Sequence, residues 1–156
     1  MPQSKLKSWA PYAAIVGAVV LTAFAGSQFG PGDWYRALEK PTWTPPNWIF
    51  PVAWTTLYAM IAVAGCLLWR TGGLRSPAFR MWIGQLALNA AWSGIFFGLQ
   101  RPGWALADIG LLLAAIAATI ALAWRRSRAA AWLLAPYLAW VAFATALNVA
   151  IWQLNR

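Results

Sequence analysis

The ionised residues of this chain are placed so that five long runs, Ser8–Gly32, Pro41–Trp69, Met81–Gln100, Pro102–Trp124 and Ala129–Asn155, hold none except Asp108. Each run contains a mostly apolar stretch of about 20 residues, the length a helix rising about 1.5 Å per residue needs to cross a hydrocarbon core of about 30 Å. Barrel strands would be about half as long and would alternate in polarity, which these runs do not. A soluble domain carries roughly 25% charged residues; this chain carries 10% and is 62% hydrophobic. The pattern predicts an all-α membrane protein, a five-transmembrane-helix bundle with helices near 11–29, 48–69, 79–99, 104–124 and 130–152. Residues 1–156 form a single domain. The joints "RTGGLRSPAFR", "QRPG" and "RRSRAA" are short, and only Gly30–Asn47, between the first two helices, is long enough for structure of its own.

The first span follows Lys5 and Lys7 and contains "AFAGS", as a signal peptide would. Its apolar stretch exceeds the usual ~7–15-residue h-region, so a retained helix is expected. The single Cys66 lies in an apolar run and reads as a structural thiol. The net charge of +9 is distributed by side. Lys5, Lys7, Arg70, Arg75, Arg80, Arg125, Arg126 and Arg128 fall on one face of the membrane, and Arg36, Lys40, Arg101 and Arg156 on the other. Excess Lys and Arg mark the cytoplasmic side, which places the N-terminus in the cytoplasm and the long loop opposite. The membrane expected is a bacterial cytoplasmic membrane rather than an outer one. The basic residues orient the chain and can touch anionic lipid; no nucleic-acid module is visible.

Trp34–Trp54, from within the long loop into the second helix, reads "WYRALEKPTWTPPNWIFPVAW". Pro41, Pro45 and Pro46 fix φ and lack an N–H, so the segment is stiff. Asn47 is the expected N-cap of the second helix. The Trp residues fit an interfacial belt or a cover over a site. Polar residues inside the spans favour the second reading. Counted along their helices, Trp54, Asn89, Trp92, Asp108 and Asn148 all fall within roughly 15 Å of the loop-side face. Polar groups at such depth usually face the bundle interior or a cavity. Gln85, Asn89, Trp92 and Phe96 share one face of the third span, while Ala90, Gly94 and Gly98 form a small-residue ridge on another. That ridge suits close helix contact, and a homodimer with the ridge at its interface is expected. Taken singly, Gln85 and Asn89 also fit interhelical hydrogen-bond glue, and Asp108 can reach water from its position near the helix start.

Much chemistry is absent. The chain has no His, one Cys and three carboxylates. It therefore lacks the usual general base, a metal-ligand cluster or an intramembrane acid–base pair. No phosphate loop or nucleophile elbow occurs. No catalytic residue, metal or required cofactor is expected; an aromatic pocket with a few amides suits a large flat hydrophobic ligand.

"WYRALEKPTWTPPNWIFPVAWTTLYAM", "GQLALNAAWSGIFFG", "GWALAD" and "PYLAWVAFATALNVAIWQLN" closely resemble the translocator protein family, the tryptophan-rich sensory protein/peripheral-type benzodiazepine receptor (TspO/MBR) group. The resemblance implies a five-helix bundle, commonly dimeric. It also implies binding of tetrapyrroles such as protoporphyrin IX, and of benzodiazepine-type ligands, under the first loop. Carried across, the ligand-contacting positions are Trp34, Trp43, Trp54, Asn89, Trp92, Trp104, Leu111, Trp140, Ala144, Leu147 and Asn148; Asp108 joins them on depth alone. The Tyr and Arg that animal members associate with cholesterol are Val149 and Gln153 here, so sterol transport is not carried over. Three functions follow as expectations: a porphyrin receptor or carrier, light-dependent porphyrin degradation beside the Trp cluster, or a non-catalytic assembly partner in the membrane.

Overall fold

The computed structural model describes residues 3–156, with side chains from Trp9 onward; Lys5 and Lys7, which carry part of the charge asymmetry, lie outside the described side chains. The described residues form helices and no strands: α1 (Gln3–Ser27), α2 (Asp33–Ala37), α3 (Ile49–Trp69), α4 (Pro77–Ser93), α5 (Pro102–Trp124) and α6 (Arg128–Leu154). A 3₁₀ turn at Gly73–Arg75 precedes α4, and a π-helical turn at Gly94–Gly98 follows it. Among the described residues four helices are long and apolar enough to cross a membrane, over Trp9–Ser27, Ile49–Trp69, Pro102–Trp124 and Arg128–Leu154. The first helix begins well before residue 11 and ends at Ser27; α3, α5 and α6 lie within two residues of the spans read from the sequence.

Local chemistry sets the ends. Pro77 and Pro102 open α4 and α5, where a missing N–H costs nothing. The Ser127 hydroxyl accepts from the Ala130 amide at 3.3 Å and caps α6. Asn47 does not cap α3. The capping position is Trp48, without a side-chain hydrogen bond, and the Ile49 amide instead donates to Pro46 O at 3.0 Å. The proline turn thus supplies the carbonyl that makes an Asn47 cap unnecessary.

Within the bundle α5 packs between α4 and α6, α3 packs on α6, and α1 lies against α4 and α3. The half remote from the loop is solid. Ile61, Ala64 and Leu68 of α3 close against Trp82 of α4, Ile116 of α5 and Leu134 of α6, all fully buried. Gly65 is a packing requirement here: a Cβ would stand 2.3 Å from the Trp82 ring.

At the other end the π turn widens the backbone. The Leu99 amide donates to Gly94 O at 2.8 Å, and the Arg101 amide to Ile95 O at 3.2 Å. This shift re-aims consecutive aromatics, so that Phe96 is buried and Phe97 meets it edge-on at 4.8 Å. Tyr35 of α2 is buried against both rings, at 6.2 and 5.4 Å. The segment after α2 is pinned as well. Lys40 Nζ donates to Leu38 O at 2.8 Å and to Arg36 O at 3.3 Å. The Asn155 amide brackets the Glu39 peptide from both sides: Glu39 N–H donates to Asn155 Oδ1 at 3.0 Å, and Asn155 Nδ2 donates to Glu39 O at 2.9 Å.

Candidate functional site

Beneath the first loop the helices do not close, and they leave a cavity of about 470 Å³. Rings wall it. Trp54 and Phe50 come from α3, Trp92 from α4, Phe96 and Phe97 from the π turn, and Trp140 from α6. Neighbouring rings hold one another in place. Trp54 stacks on Tyr58 (5.3 Å, 28°), Trp92 stacks on Phe96 (5.1 Å, 23°), and Phe50 meets Trp140 edge-on at 5.8 Å. Such offset and edge-on pairs are the preferred aromatic geometries, so the walls are preorganised without a ligand. The side facing α5 is aliphatic, from Ile109 and Leu112. The exposed lining residues Ser27, Gly30, Pro31, Asn47 and Pro51 gather where the end of α1 approaches the start of α3, which locates the mouth.

Polar groups in the cavity are few, and most are held. Tyr58 Oη donates to Asn89 Oδ1 at 2.8 Å, Asn89 Nδ2 donates to Tyr137 Oη at 2.8 Å, and Tyr137 Oη donates to Gln85 Oε1 at 2.7 Å. Trp92 Nε1 donates to Asn148 Oδ1 at 3.2 Å, and Asn148 Nδ2 donates to Pro102 O at 3.0 Å, tying α4, α6 and the start of α5 together. Among the described residues three buried side-chain atoms have no partner: Trp140 Nε1, Gln85 Nε2 and Asp108 Oδ2. Among the described residues no cluster of His, Cys, Asp and Glu could hold a metal.

The sequence-derived site residues divide. Trp54, Asn89, Trp92, Trp140, Ala144, Leu147 and Asn148 line the cavity together. Trp34 lies behind the wall, edge-on to Phe96 at 5.8 Å, and Trp43 is half exposed against Phe143 at 5.8 Å. Trp104 and Leu111 point away from the bundle, 71% and 62% exposed, and Asp108 is buried between helices without reaching the cavity. Gly94 and Gly98 of the small-residue ridge face Phe29 of the same chain, and a Cβ on Gly98 would come within 2.8 Å of that ring. Phe50, Tyr58, Ile109 and Leu112 also line the cavity and were not singled out by sequence. Tyr58 follows Trp54 by four residues and so shares its helical face; that spacing was the available signal.

The sequence model of the TspO/MBR family matches residues 10–153, a stretch that includes every residue lining the cavity. The chain belongs to the TspO/MBR family. It is 43% identical to the Translocator protein of Homo sapiens over 95% of this chain and 92% of that one. It is 43% identical to the Tryptophan-rich protein TspO of Archaeoglobus fulgidus over 91% and 95%, and 37% identical to Protein CrtK of Rhodobacter capsulatus over 92% of each. With four helices able to span a bilayer, this TspO/MBR chain is a membrane protein. What the cavity offers is a preformed, ring-walled space with isolated hydrogen-bonding points.

Proposed function

We propose that this TspO/MBR protein is a membrane receptor or carrier that holds a tetrapyrrole, with protoporphyrin IX as the representative ligand, in the cavity under its first loop. Benzodiazepine-type compounds are its synthetic occupants. The observation that carries the reading is the wall of Trp54, Trp92, Phe96 and Trp140 around about 470 Å³, within the ~300–1,000 Å³ range of small-molecule sites. Flat aromatic faces and scarce polar groups suit a planar macrocycle, whose carboxylates would remain at the mouth near the loop.

In the bilayer the reading takes five spans. α4 alone has 17 residues, and the π turn adds five, which together meet the roughly 20 residues a span requires. The charge distribution supports a cytoplasmic N-terminus, and the family resemblance supports a homodimer, with its contact away from Gly94 and Gly98, which Phe29 of the same chain covers. The test is a titration of the purified protein with protoporphyrin IX, haem and cholesterol, followed by Trp fluorescence. Saturable quenching by protoporphyrin IX, weakened in Trp54→Ala, is expected. A linear response indistinguishable from free tryptophan would overturn the proposal.

A further inference from the structure

The wall of the cavity between α1 and α4 carries a hydroxyl that the fold leaves unused. A serine or threonine inside a helix commonly turns its oxygen back to the carbonyl one turn earlier. Thr22, Thr55, Thr56, Thr119 and Thr145 all do so, at 2.7 to 3.0 Å. Ser93, the last residue of α4, is the exception. It lines the cavity, and among the described residues its hydroxyl has no hydrogen-bond partner.

Gly26 of α1 faces this hydroxyl. A Cβ built on Gly26 would stand 3.5 Å from Ser93 Oγ and 3.8 Å from Tyr58 Oη, and no third atom from across the bundle comes within 4 Å. Two hydroxyls thus converge on one open point beside a bare stretch of helix. Gly26 adjoins Ser27, one of the residues that mark the mouth, so the point lies close to the entrance.

The nearby side-chain oxygens are already engaged. Asn89, one turn before Ser93 on the same face of α4, is bonded to Tyr58 and to Tyr137 at 2.8 Å each, whichever way its amide is turned. Asn148 is held from both sides, by Trp92 Nε1 at 3.2 Å and by Pro102 O at 3.0 Å. The Ser93 hydrogen therefore has no acceptor in the wall, and an oxygen on an entering ligand would gain that bond without breaking one within the protein. Alanine would pack as closely against Gly26; what serine adds is the hydroxyl.

We infer that Ser93, reached across Gly26, is a specificity-determining residue of the cavity that donates a hydrogen bond to a carbonyl oxygen on a flat, otherwise apolar ligand. The inference rests on the reading of the cavity as a ligand site and adds which functional group the occupant carries at this wall.

Fluorenone and fluorene test it, because the two flat tricyclic frames differ in a carbonyl against a methylene. With protein-free micelles as the blank, Ser93→Ala should weaken fluorenone by about 2- to 13-fold, the range of one net hydrogen bond, and leave fluorene unchanged. The infrared C=O stretch of bound fluorenone should lie lower in the intact chain than in Ser93→Ala, since donation to the oxygen weakens the double bond. Gly26→Ala keeps both hydroxyls and fills the point between them, so it should lose the same shift; it serves if Ser93→Ala does not fold. Fluorenone that fails to bind the intact chain, equal weakening of both probes in Ser93→Ala, or a stretch that Ser93→Ala and Gly26→Ala leave unchanged overturns the inference. A shift kept in Ser93→Ala and lost in Tyr58→Phe gives the contact to the tyrosine and overturns it as well. Protoporphyrin IX titrated on the same samples separates the two claims. Absent porphyrin binding with the Ser93-dependent shift intact removes the proposed function and leaves the hydroxyl's role standing; intact porphyrin binding with no such shift removes the hydroxyl's role alone.

Discussion

Trp82 and Trp140 are the same residue in opposite circumstances. Trp82, in the solid half, is 1% exposed, stacks on Phe79 at 5.4 Å, lies against Gly65 and donates its Nε1 hydrogen to Ile61 O at 3.0 Å. Trp140, in the hollow half, has an equally buried Nε1 with no partner, and its ring faces the cavity on one side and a groove between α3 and α6 on the other. A satisfied tryptophan spends its polar atom on the fold. An unsatisfied one is a cost to the fold, because its buried N–H finds no acceptor. The bundle is thus stabilised at one end and left incomplete at the other.

The comparison is broken most violently at Gly65. With a Cβ 2.3 Å from a ring that cannot retreat, Gly65→Val should abolish the monodisperse folded species in detergent chromatography. Gly84→Val, where nothing lies within 4 Å, should elute as the parent does. Equal behaviour of the two would mean the solid half is not close-packed.

Trp82→Ala and Trp140→Ala sharpen the contrast. Loss of the first ring opens a cavity in a filled region and should cost about 3–5 kcal/mol in denaturant unfolding, as for large-to-small core substitutions. Loss of the second enlarges an existing void and should cost less than half as much. Comparable losses would erase the distinction between the two halves.

Ligand binding separates the same regions with a smaller effect. Trp54→Ala and Trp140→Ala should weaken protoporphyrin IX by roughly 2- to 13-fold each, the value of one stacking face. Trp69→Ala and Trp124→Ala, at the far ends of α3 and α5, should leave affinity unchanged in the folded fraction. If all four weaken it alike, the tryptophans form a membrane belt and the cavity is not the site. The least change belongs to Lys40. Its ammonium is occupied by Leu38 O and by the Tyr35 ring 4.7 Å away, so Lys40→Gln should alter porphyrin affinity by less than about twofold and only at low salt.

What could be read from sequence was height, and what could not was direction. An apolar run fixes where a helix enters and leaves the bilayer, and counting along it fixes depth; hence α3, α5 and α6 lie close to their expected limits, and Trp54, Asn89 and Asn148 meet at one level. Depth says nothing about which way a side chain points, since each residue turns the helix by about 100°. Trp104 and Leu111, carried over by resemblance, have the right height and face outward, while Ile109 and Leu112 beside them face the cavity. The π turn was illegible for another reason: its five residues, "GIFFG", read as ordinary helix. α4 is the least apolar of the long helices because it carries Arg80 near its start as well as the buried amides Gln85 and Asn89.

The clasp between Glu39 and Asn155 has a consequence in time. Its partners are separated by 116 positions, which at about 5–20 residues per second of synthesis is an interval of roughly 6 to 23 s. Throughout that interval the first loop has emerged, and α6, which supplies Trp140, Asn148 and the clasp itself, is still being made. The nascent chain therefore passes through a stage in which α1, α3 and α4 are present but the aromatic wall stands open to the membrane. Whatever attends this protein during its insertion meets that open wall before any ligand does.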